Sequence, residues 1–323
     1  MNTPIFLSGE AVQGARLELP TSDLSIGRIP GSDVEIICDI DEMISHHTAI
    51  LGVTGSGKTE LAFKIIQRAI DNGVKIFCVD ITGQYIEKLS RFSPTELSID
   101  ENLADELGKK LHEVETGKYG AGDEKKALKE FADRLRNDID GKVKSFLDDD
   151  DSIGIFTMPS ISNTKATIQA TEIYLSSIFK YGREITEEKQ RILVVLEEAH
   201  TVVPEASTMG LGDYDSRGMV AKIAQIALQG RKYEVGLLVI AQRTATVSKT
   251  VLTQCNTVIT FASFDQTGLA FLSNIYGEEH TSKISNLPFL HALMFGKGVR
   301  SERPVVVELP FDESLTRSKD TTN

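Results

Sequence analysis

The sequence predicts an α/β protein with a mostly parallel sheet that is covered by helices on both faces. Short apolar runs alternate with helix-like stretches through most of the 323 residues, which is the pattern of open parallel sheets. One apolar run leads directly into a glycine-rich motif, and another ends on two glutamates. Both features are expected at the carboxyl edge of a parallel sheet, where such folds bind their ligands.

The glycine-rich motif, residues 52–59, reads Gly-Val-Thr-Gly-Ser-Gly-Lys-Thr and matches the phosphate-binding loop pattern. It lies between a predicted strand at 48–51 and a predicted helix at 60–69. Its glycines allow backbone N–H groups to face a polyphosphate at the positive end of the helix dipole. Lys58 would reach the β- and γ-phosphates, and the Thr59 hydroxyl would bind Mg²⁺. The predicted nucleotide-binding residues are Gly52, Thr54, Gly55, Ser56, Gly57, Lys58, Thr59 and Glu60.

Composition limits the class of protein. Hydrophobic residues make up 41% of the chain and charged residues 25%, which is typical of a globular protein. The absence of a long apolar run or a signal-like N-terminus predicts a cytoplasmic protein without a membrane partner. The scattered cysteines Cys38, Cys78 and Cys255 are expected to be buried thiols. A net charge of −12 argues against a basic coat but leaves room for a local basic channel.

Three segments can be distinguished along the chain. Residues 1–45 contain alternating runs broken by Gly and Pro, including one at 16–19, and predict a β-rich segment too short to fold alone. Residues 46–310 form the main predicted domain, and 311–323 form a polar tail. Further strands are predicted at 74–80, 153–157, 192–196, 236–241, 257–261, 291–295 and 304–309, and further helices at 164–181, 218–232 and 266–275.

A charged insertion at about 93–151 interrupts the alternation. Its basic residues are interleaved with acids, which favours a solvated, salt-bridged helix. The alternative is an insertion that presents basic groups to DNA. The basic residues concerned are Lys125, Lys126, Lys129, Arg134 and Arg136.

Acidic residues follow two predicted strands. Glu197 and Glu198 come directly after the apolar run 192–196. Beside a phosphate loop, Glu197 would complete the Mg²⁺ shell, and Glu198 would orient or deprotonate the attacking water. Asp80 ends the run 74–80, where it either takes part in ligand chemistry or simply caps the turn.

Two further polar residues flank the strand at 236–241. Gln242, at its end, would sense the γ-phosphate or the attacking water. Arg231, before its start, is either an ordinary surface residue or an arginine finger that reaches the γ-phosphate of a neighbouring subunit. Such fingers typically contribute about 10³–10⁵ in rate.

Taken together, these motifs resemble the HerA branch of the HerA/FtsK ATPases over about residues 24–310. The resemblance implies a RecA-like P-loop NTPase core that uses ATP and Mg²⁺. It also implies a hexameric ring that translocates double-stranded DNA through a central pore, with a partner nuclease or sirtuin-like effector in DNA end processing or antiphage defence. The five matching motifs are residues 47–59, 80–85, 197–200, 230–232 and 242–243.

The resemblance implies that Lys58 binds phosphate and that Thr59 binds Mg²⁺. It also implies that Glu197 and Glu198 form the acidic pair. Gln242 would be the sensor, and Arg231 would be the arginine finger that acts in trans. The sequence departs from the family pattern in three places. Glu197 stands where Asp is common, and His46 stands where an arginine that could contact a neighbouring nucleotide is expected. Only the closing strands of the family's N-terminal β-barrel are present, and that barrel commonly docks the partner nuclease.

Two other functions are compatible with the same motifs. One is an assembly scaffold, in which nucleotide binding closes a ring that organises an effector enzyme and DNA is incidental. The other is a related conjugation or secretion ATPase that acts on protein.

Overall fold

The computed structural model describes residues 23–81, 83–118, 120–157, 164–184, 190–205 and 214–310. The predicted strand at 16–19 and the polar tail lie outside these residues. Within them, eleven strands form one sheet. The strands are β1 (Asp23–Arg28), β2 (Glu35–Asp39), β3 (Thr48–Leu51), β4 (Lys75–Asp80), β5 (Thr95–Glu96), β6 (Ile153–Thr157), β7 (Ile192–Leu196), β8 (Val235–Ala241), β9 (Thr257–Thr260), β10 (His291–Gly296) and β11 (Val305–Glu308).

The helices follow the strands in the expected alternation, and several short ones occupy a single turn. They are α1 (Ile40–Ser45), α2 (Lys58–Asp71), α3 (Tyr85–Lys88), α4 (Glu101–Glu115), α5 (Ala121–Asp148), α6 (Thr164–Glu184), α7 (Ala199–Val202), α8 (Tyr214–Gly230), α9 (Lys249–Leu252), α10 (Gln266–Tyr276) and α11 (Glu278–Thr281).

The sheet order is β2-β1-β11-β10-β9-β3-β8-β7-β4-β6-β5. All pairings from β9 to β5 are parallel, whereas β10 is antiparallel to both β9 and β11. The hairpin of β1 and β2 joins the far side of β11 through the pair Arg28 and Glu308. The predicted mostly parallel α/β fold is therefore confirmed, with the N-terminal strands built into the same sheet.

Alternate residues of the central strands face opposite cores. In β3, Ala49 and Leu51 pack beneath the helices α5, α6, α8 and α10, whereas Ile50 packs beneath α1, α2 and α3. Each central strand is buried along its whole length, which explains why it appears in the sequence as a continuous apolar run. The phosphate loop thus leaves the sheet on the face that carries α2.

One local prediction was wrong. Residues 40–45 were expected to belong to β-rich structure, but they form α1. Asp39 caps this helix, because its Oδ1 accepts a hydrogen bond from the N–H of Glu42 at 3.1 Å, the usual role of Asp at an N-cap. Its apolar residues Ile40, Met43 and Ile44 are buried.

The charged insertion packs on the main body through one face of α5. Arg134 pairs with Glu106 at 2.8 Å, and Arg136 lies 3.8 Å from Glu172. These pairs agree with the favoured interpretation of a salt-bridged helix; the side chain of Lys125 lies outside the described part. The opposite face of α5 is apolar and buried, through Phe131, Leu135, Ile139, Val143 and Phe146.

The expectation about the cysteines can be checked in the fold. Cys38, Cys78 and Cys255 are buried free thiols, and burial raises the pKa of Cys255 to about 12. Among the described helices, none has both the length and the apolar character needed to cross a membrane.

Candidate nucleotide-binding and hydrolysis site

The phosphate loop leaves β3 at the carboxyl edge of the parallel strands and ends where Lys58 begins α2. Two of its glycines are required by the backbone. Gly57 has φ 113° at the N-cap of α2. Gly52 has φ 142°, and a Cβ there would come within 2.7 Å of Cβ of Phe261. Only glycine meets both conditions without strain.

Lys58 is buried inside the loop. Its Nζ donates a hydrogen bond to the carbonyl of Val53 at 2.8 Å. Burial lowers the pKa of Lys58, while the negative charges of Glu197 and Glu198 oppose that shift. The two acids predicted from the end of β7 therefore lie close enough to Lys58 to act on its charge.

Glu197 follows β7 and is held by a residue of the turn that follows the neighbouring strand β4. The hydroxyl of Tyr85 donates to its Oε2 at 2.8 Å. Burial raises the pKa of Glu197 to about 7, and the charge of Glu198 acts in the same direction, whereas the hydrogen bond from Tyr85 opposes it. A cation beside this carboxylate would favour its ionised form.

Glu198 has a left-handed backbone, with φ 48°. Non-glycine residues adopt this conformation uncommonly, and such strain concentrates at functional sites. Gln242 Nε2 donates to Glu198 Oε1, and Nδ1 of His200 lies 3.2 Å from Oε2. The second acid is thus oriented by Gln242, while its Oε2 and Nδ1 of His200 make no hydrogen bond within the described part of the chain.

Gln242 connects the acid to the phosphate loop. While its amide nitrogen binds Glu198, its Oε1 accepts a hydrogen bond from the Thr54 hydroxyl at 2.8 Å. The structure therefore links a loop residue, the candidate sensor and the candidate base in one hydrogen-bonded chain. A change in what the loop binds can reach Glu198 through this chain.

The donor set fits a magnesium ion that is bound mainly through nucleotide phosphates. No group of three or more His, Cys, Asp and Glu side chains that could hold a metal occurs in the described ranges. Mg²⁺ commonly uses only one or two carboxylates together with substrate phosphates and water. Thr59, in the first turn of α2, and Glu197 can supply the protein oxygens of such a site.

Arg231 lies at the other edge of the sheet. It opens a 3₁₀ turn, Arg231–Tyr233, directly before β8, whereas Gln242 follows the end of β8. The seven residues of β8 separate these ends by about 20 Å, at ~3.3 Å per residue. Arg231 is exposed and does not belong to the phosphate site of its own chain.

His46, where an arginine was expected, lies at the same edge as Arg231. It is buried, and its Nε2 lies 3.1 Å from Nζ of Lys297. Burial lowers the pKa of His46, and the nearby charge of Arg231 lowers it further. The histidine is enclosed: its Nδ1 lies 2.8 Å from Oε2 of Glu42, and two exposed cations, Arg231 and Lys297, lie nearby.

The turn after β4 explains Asp80 and reveals a contact that sequence reasoning missed. Asp80 is fully buried, and its Oδ2 accepts a hydrogen bond from the N–H of Tyr85 at 2.6 Å. The acid therefore caps the turn, and by doing so it positions the hydroxyl that binds Glu197. His200 beside Glu198 was also missed. Only the pairing of β4 with β7 could have indicated the Tyr85 contact.

The fold and this edge together are those of a P-loop ATPase. A family model described as "Helicase HerA, central domain" matches residues 24–116. The DNA double-strand break repair helicase HerA of Sulfolobus acidocaldarius is 23% identical over 363 residues, covering 92% of this chain and 71% of the relative. These matches confirm the resemblance to HerA-type ATPases of the HerA/FtsK superfamily.

Solved structures share the fold at low sequence identity. VirB4 of Thermoanaerobacter pseudethanolicus superposes with a TM-score of 0.63 at 12% identity, covering 92% of this chain and 98% of that chain. The bacterial conjugative coupling protein TrwB superposes with a TM-score of 0.53 at 15% identity, covering 83% and 85%.

Proposed function

We propose that this protein is an ATP-hydrolysing motor that assembles as a hexameric ring in the cytoplasm and translocates double-stranded DNA. It would act with a nuclease or other effector, such as a sirtuin-like enzyme, in DNA end processing or antiphage defence. The observation that carries the proposal is the division of the catalytic groups between two edges. Glu198 is linked to the phosphate loop through Gln242, whereas Arg231 lies across the sheet, out of reach of the phosphate loop of its own subunit.

Within one subunit, Lys58 would bind the β- and γ-phosphates in place of the Val53 carbonyl. Thr59 and Glu197 would hold Mg²⁺, which when bound neutralises phosphate charge. Glu198 would orient or deprotonate water, and Gln242 would transmit the state of the γ-phosphate through Thr54. Arg231 of the adjacent subunit would stabilise the charge that develops in the transition state.

The relatives support a DNA substrate, because the similar archaeal protein is named a DNA double-strand break repair helicase. ATPase activity of the purified chain should rise when duplex DNA is added at low salt. The mass of the particle should change from that of the free chain to that of a ring with ATP and DNA present. Equal hydrolysis with and without duplex, together with no duplex binding, would refute the motor.

Two variants separate binding from turnover. Lys58→Ala should lose both nucleotide binding and hydrolysis. Glu198→Gln should keep ATP binding but lose about 10²–10⁴ in turnover, the usual contribution of a general base. An ATPase rate close to wild type in Glu198→Gln would remove this residue from the proposed mechanism.

A ring scaffold is the second candidate, and the net charge of −12 favours it because an acidic surface repels DNA. Nucleotide binding would then assemble the effector without translocation. Glu198→Gln distinguishes the two functions when biological activity is assayed with the partner present. A scaffold would tolerate this change, whereas a motor would not.

A further inference from the structure

An aromatic side chain stands beside the phosphate loop without a role in phosphate chemistry. Phe289 is 60% exposed, among the most exposed of the large apolar residues described. It immediately precedes Leu290 and the start of β10. β10 enters the sheet at the carboxyl edge of its antiparallel neighbour β9, so Phe289 lies at the same edge as the phosphate loop.

The backbone fixes this aromatic residue to the loop. The N–H of Leu290 donates to the carbonyl of Ser56 at 3.3 Å, and the carbonyl of Leu290 accepts from the N–H of Leu309 at 2.8 Å. Leu290 has φ 59°, which is uncommon for a branched side chain. Its Cδ2 lies 2.8 Å from where a Cβ on Gly57 would be. Leu290 is therefore wedged against the loop, and Phe289 is held next to it.

The direction of the bound nucleotide follows from the sheet order. β3 lies between β8 and β9. Gln242 and Glu198, on the β8 and β7 side, mark the γ-phosphate end of the site. The nucleoside must therefore leave the loop on the other side, toward β9 and β10. β10 lies two strands from β3, about 10 Å away, which is comparable to the length of a nucleoside.

The segments that flank them distinguish Phe289 from the other strongly exposed phenylalanine of the described residues. Leu290 belongs to the core on the α2 face, the face on which the phosphate loop continues. Phe264 is 64% exposed, but it leads into α10, whose Leu272 and Tyr276 pack on the opposite face. Among the described residues, Phe289 is thus the strongly exposed phenylalanine whose neighbour packs against Gly57 on the α2 face.

We infer that the ring of Phe289 is the surface on which the base of the nucleoside triphosphate stacks. The inference rests on the nucleotide-binding role proposed for the phosphate loop. An aromatic ring offers stacking without hydrogen bonds, so it would strengthen binding of any base and would not select adenine by itself. The phosphates and the base would then be held by two segments joined through Leu290 and Ser56.

The test compares a nucleotide with an anion that has no base. Dissociation constants are measured with Mg²⁺ for a non-hydrolysable ATP analogue and for inorganic triphosphate. Phe289→Ala should weaken binding of the ATP analogue about 5- to 150-fold, since base–aromatic stacking contributes about 1–3 kcal/mol. The same substitution should leave the dissociation constant for inorganic triphosphate unchanged. Phe289→Trp should restore the affinity for the analogue, and Phe264→Ala should change neither constant.

The outcomes separate this inference from the proposed function. If the wild-type chain binds neither ligand, the phosphate site itself is wrong. If the wild-type chain binds both and Phe289→Ala binds the analogue equally well, only the stacking inference fails. Equal weakening of both ligands would show that Phe289 shapes the loop and does not contact the base, and this result also overturns the inference. The inference would also be overturned if Phe264→Ala lost as much affinity for the ATP analogue as Phe289→Ala.

Discussion

Buried ionisable side chains have different partners at the two edges of the parallel sheet. At the amino edge, Lys75 is buried at the start of β4 and donates to the backbone carbonyls of Phe146, Asp149 and Asp151. At the carboxyl edge, Glu197 and Glu198 lie near each other, and burial raises the pKa of Glu197 to about 7. At the amino edge a buried cation is bound by backbone carbonyls with aspartates nearby, whereas at the carboxyl edge two acids lie together beside Lys58.

The buried lysine at the amino edge stabilises the fold, whereas the buried acids at the carboxyl edge belong to the candidate catalytic site. Backbone carbonyls cannot rearrange without breaking the fold, so the Lys75 contacts hold the end of α5 against β4. Side-chain partners such as Gln242 and Tyr85 can move when a nucleotide arrives. Shifted pKa values occur at both edges, but those at the carboxyl edge belong to groups beside the phosphate loop, as in many active sites.

The sharpest test of the comparison concerns Arg231, which carries a proposed catalytic role at the amino edge. Arg231→Ala should lower ATP turnover by about 10³–10⁵, the range for arginine fingers, while each subunit still binds ATP. Mixing this variant with Glu198→Gln should restore activity. On random mixing, about a quarter of the head-to-tail interfaces would combine an intact Glu198 with an intact Arg231.

Recovery in the mixture is measured as ATPase rate against the mixing ratio, with each variant alone as the control. A mixture no more active than its components would mean that Arg231 does not act across the interface. Unchanged turnover in Arg231→Ala would mean that Arg231 is an ordinary surface residue without a catalytic role, the alternative that the sequence left open.

A stability effect is expected at Lys75. Lys75→Met keeps the length of the side chain but removes the donor of three backbone carbonyls, of which only the bond to Phe146 is fully buried. Leaving a buried acceptor unsatisfied costs about 1–3 kcal/mol, so the free energy of unfolding should fall by about that amount. The ATPase rate per folded molecule should stay near wild type, because the residue lies at the edge away from the phosphate loop.

Denaturant titration measures this change, and Lys129→Met, an exposed lysine on α5, is the matched control. A loss of turnover without a loss of stability in Lys75→Met would contradict the division between the two edges.

The sequence predicted the central strands and the phosphate loop well, because both have strong local signals. β3, β6 and β7 begin and end at the predicted residues, since a strand buried on both faces is apolar throughout. The phosphate loop needs glycine where φ is positive, and that need is visible in the residues themselves.

Contacts between distant segments could not be predicted in the same way. The bonds from Tyr85 to Glu197 and from Thr54 to Gln242 join residues more than a hundred positions apart, and they depend on strand order. The helix α1 was missed because its capping residue, Asp39, ends a strand and also starts the helix. Local propensity gave no reason to divide the segment there.

The smallest expected effect concerns His47, a buried histidine at the amino edge. Its Nδ1 accepts from the N–H of Leu237 at 3.0 Å, so Nε2 carries the proton and donates to the carbonyl of Ala227 at 2.7 Å. The ring is therefore neutral in the fold, and burial lowers the pKa of His47 below 6.5. As the pH falls through 6.5, the unfolded chain takes up a proton that the folded chain does not, and stability declines.

His47→Gln should be less stable at pH 8 but should lose less stability between pH 8 and pH 5.5. Removing His47 should reduce the slope of the unfolding free energy against pH by at most about 1.4 kcal/mol per pH unit, the value for one proton. His46 acts in the same direction and Glu197 in the opposite one, but both remain in the variant. The difference between wild type and variant therefore isolates His47, with His112→Gln, an exposed site, as the control. Parallel pH profiles for wild type and His47→Gln would mean that His47 takes up its proton at the same pH in the folded and the unfolded chain, which would contradict a buried, neutral ring.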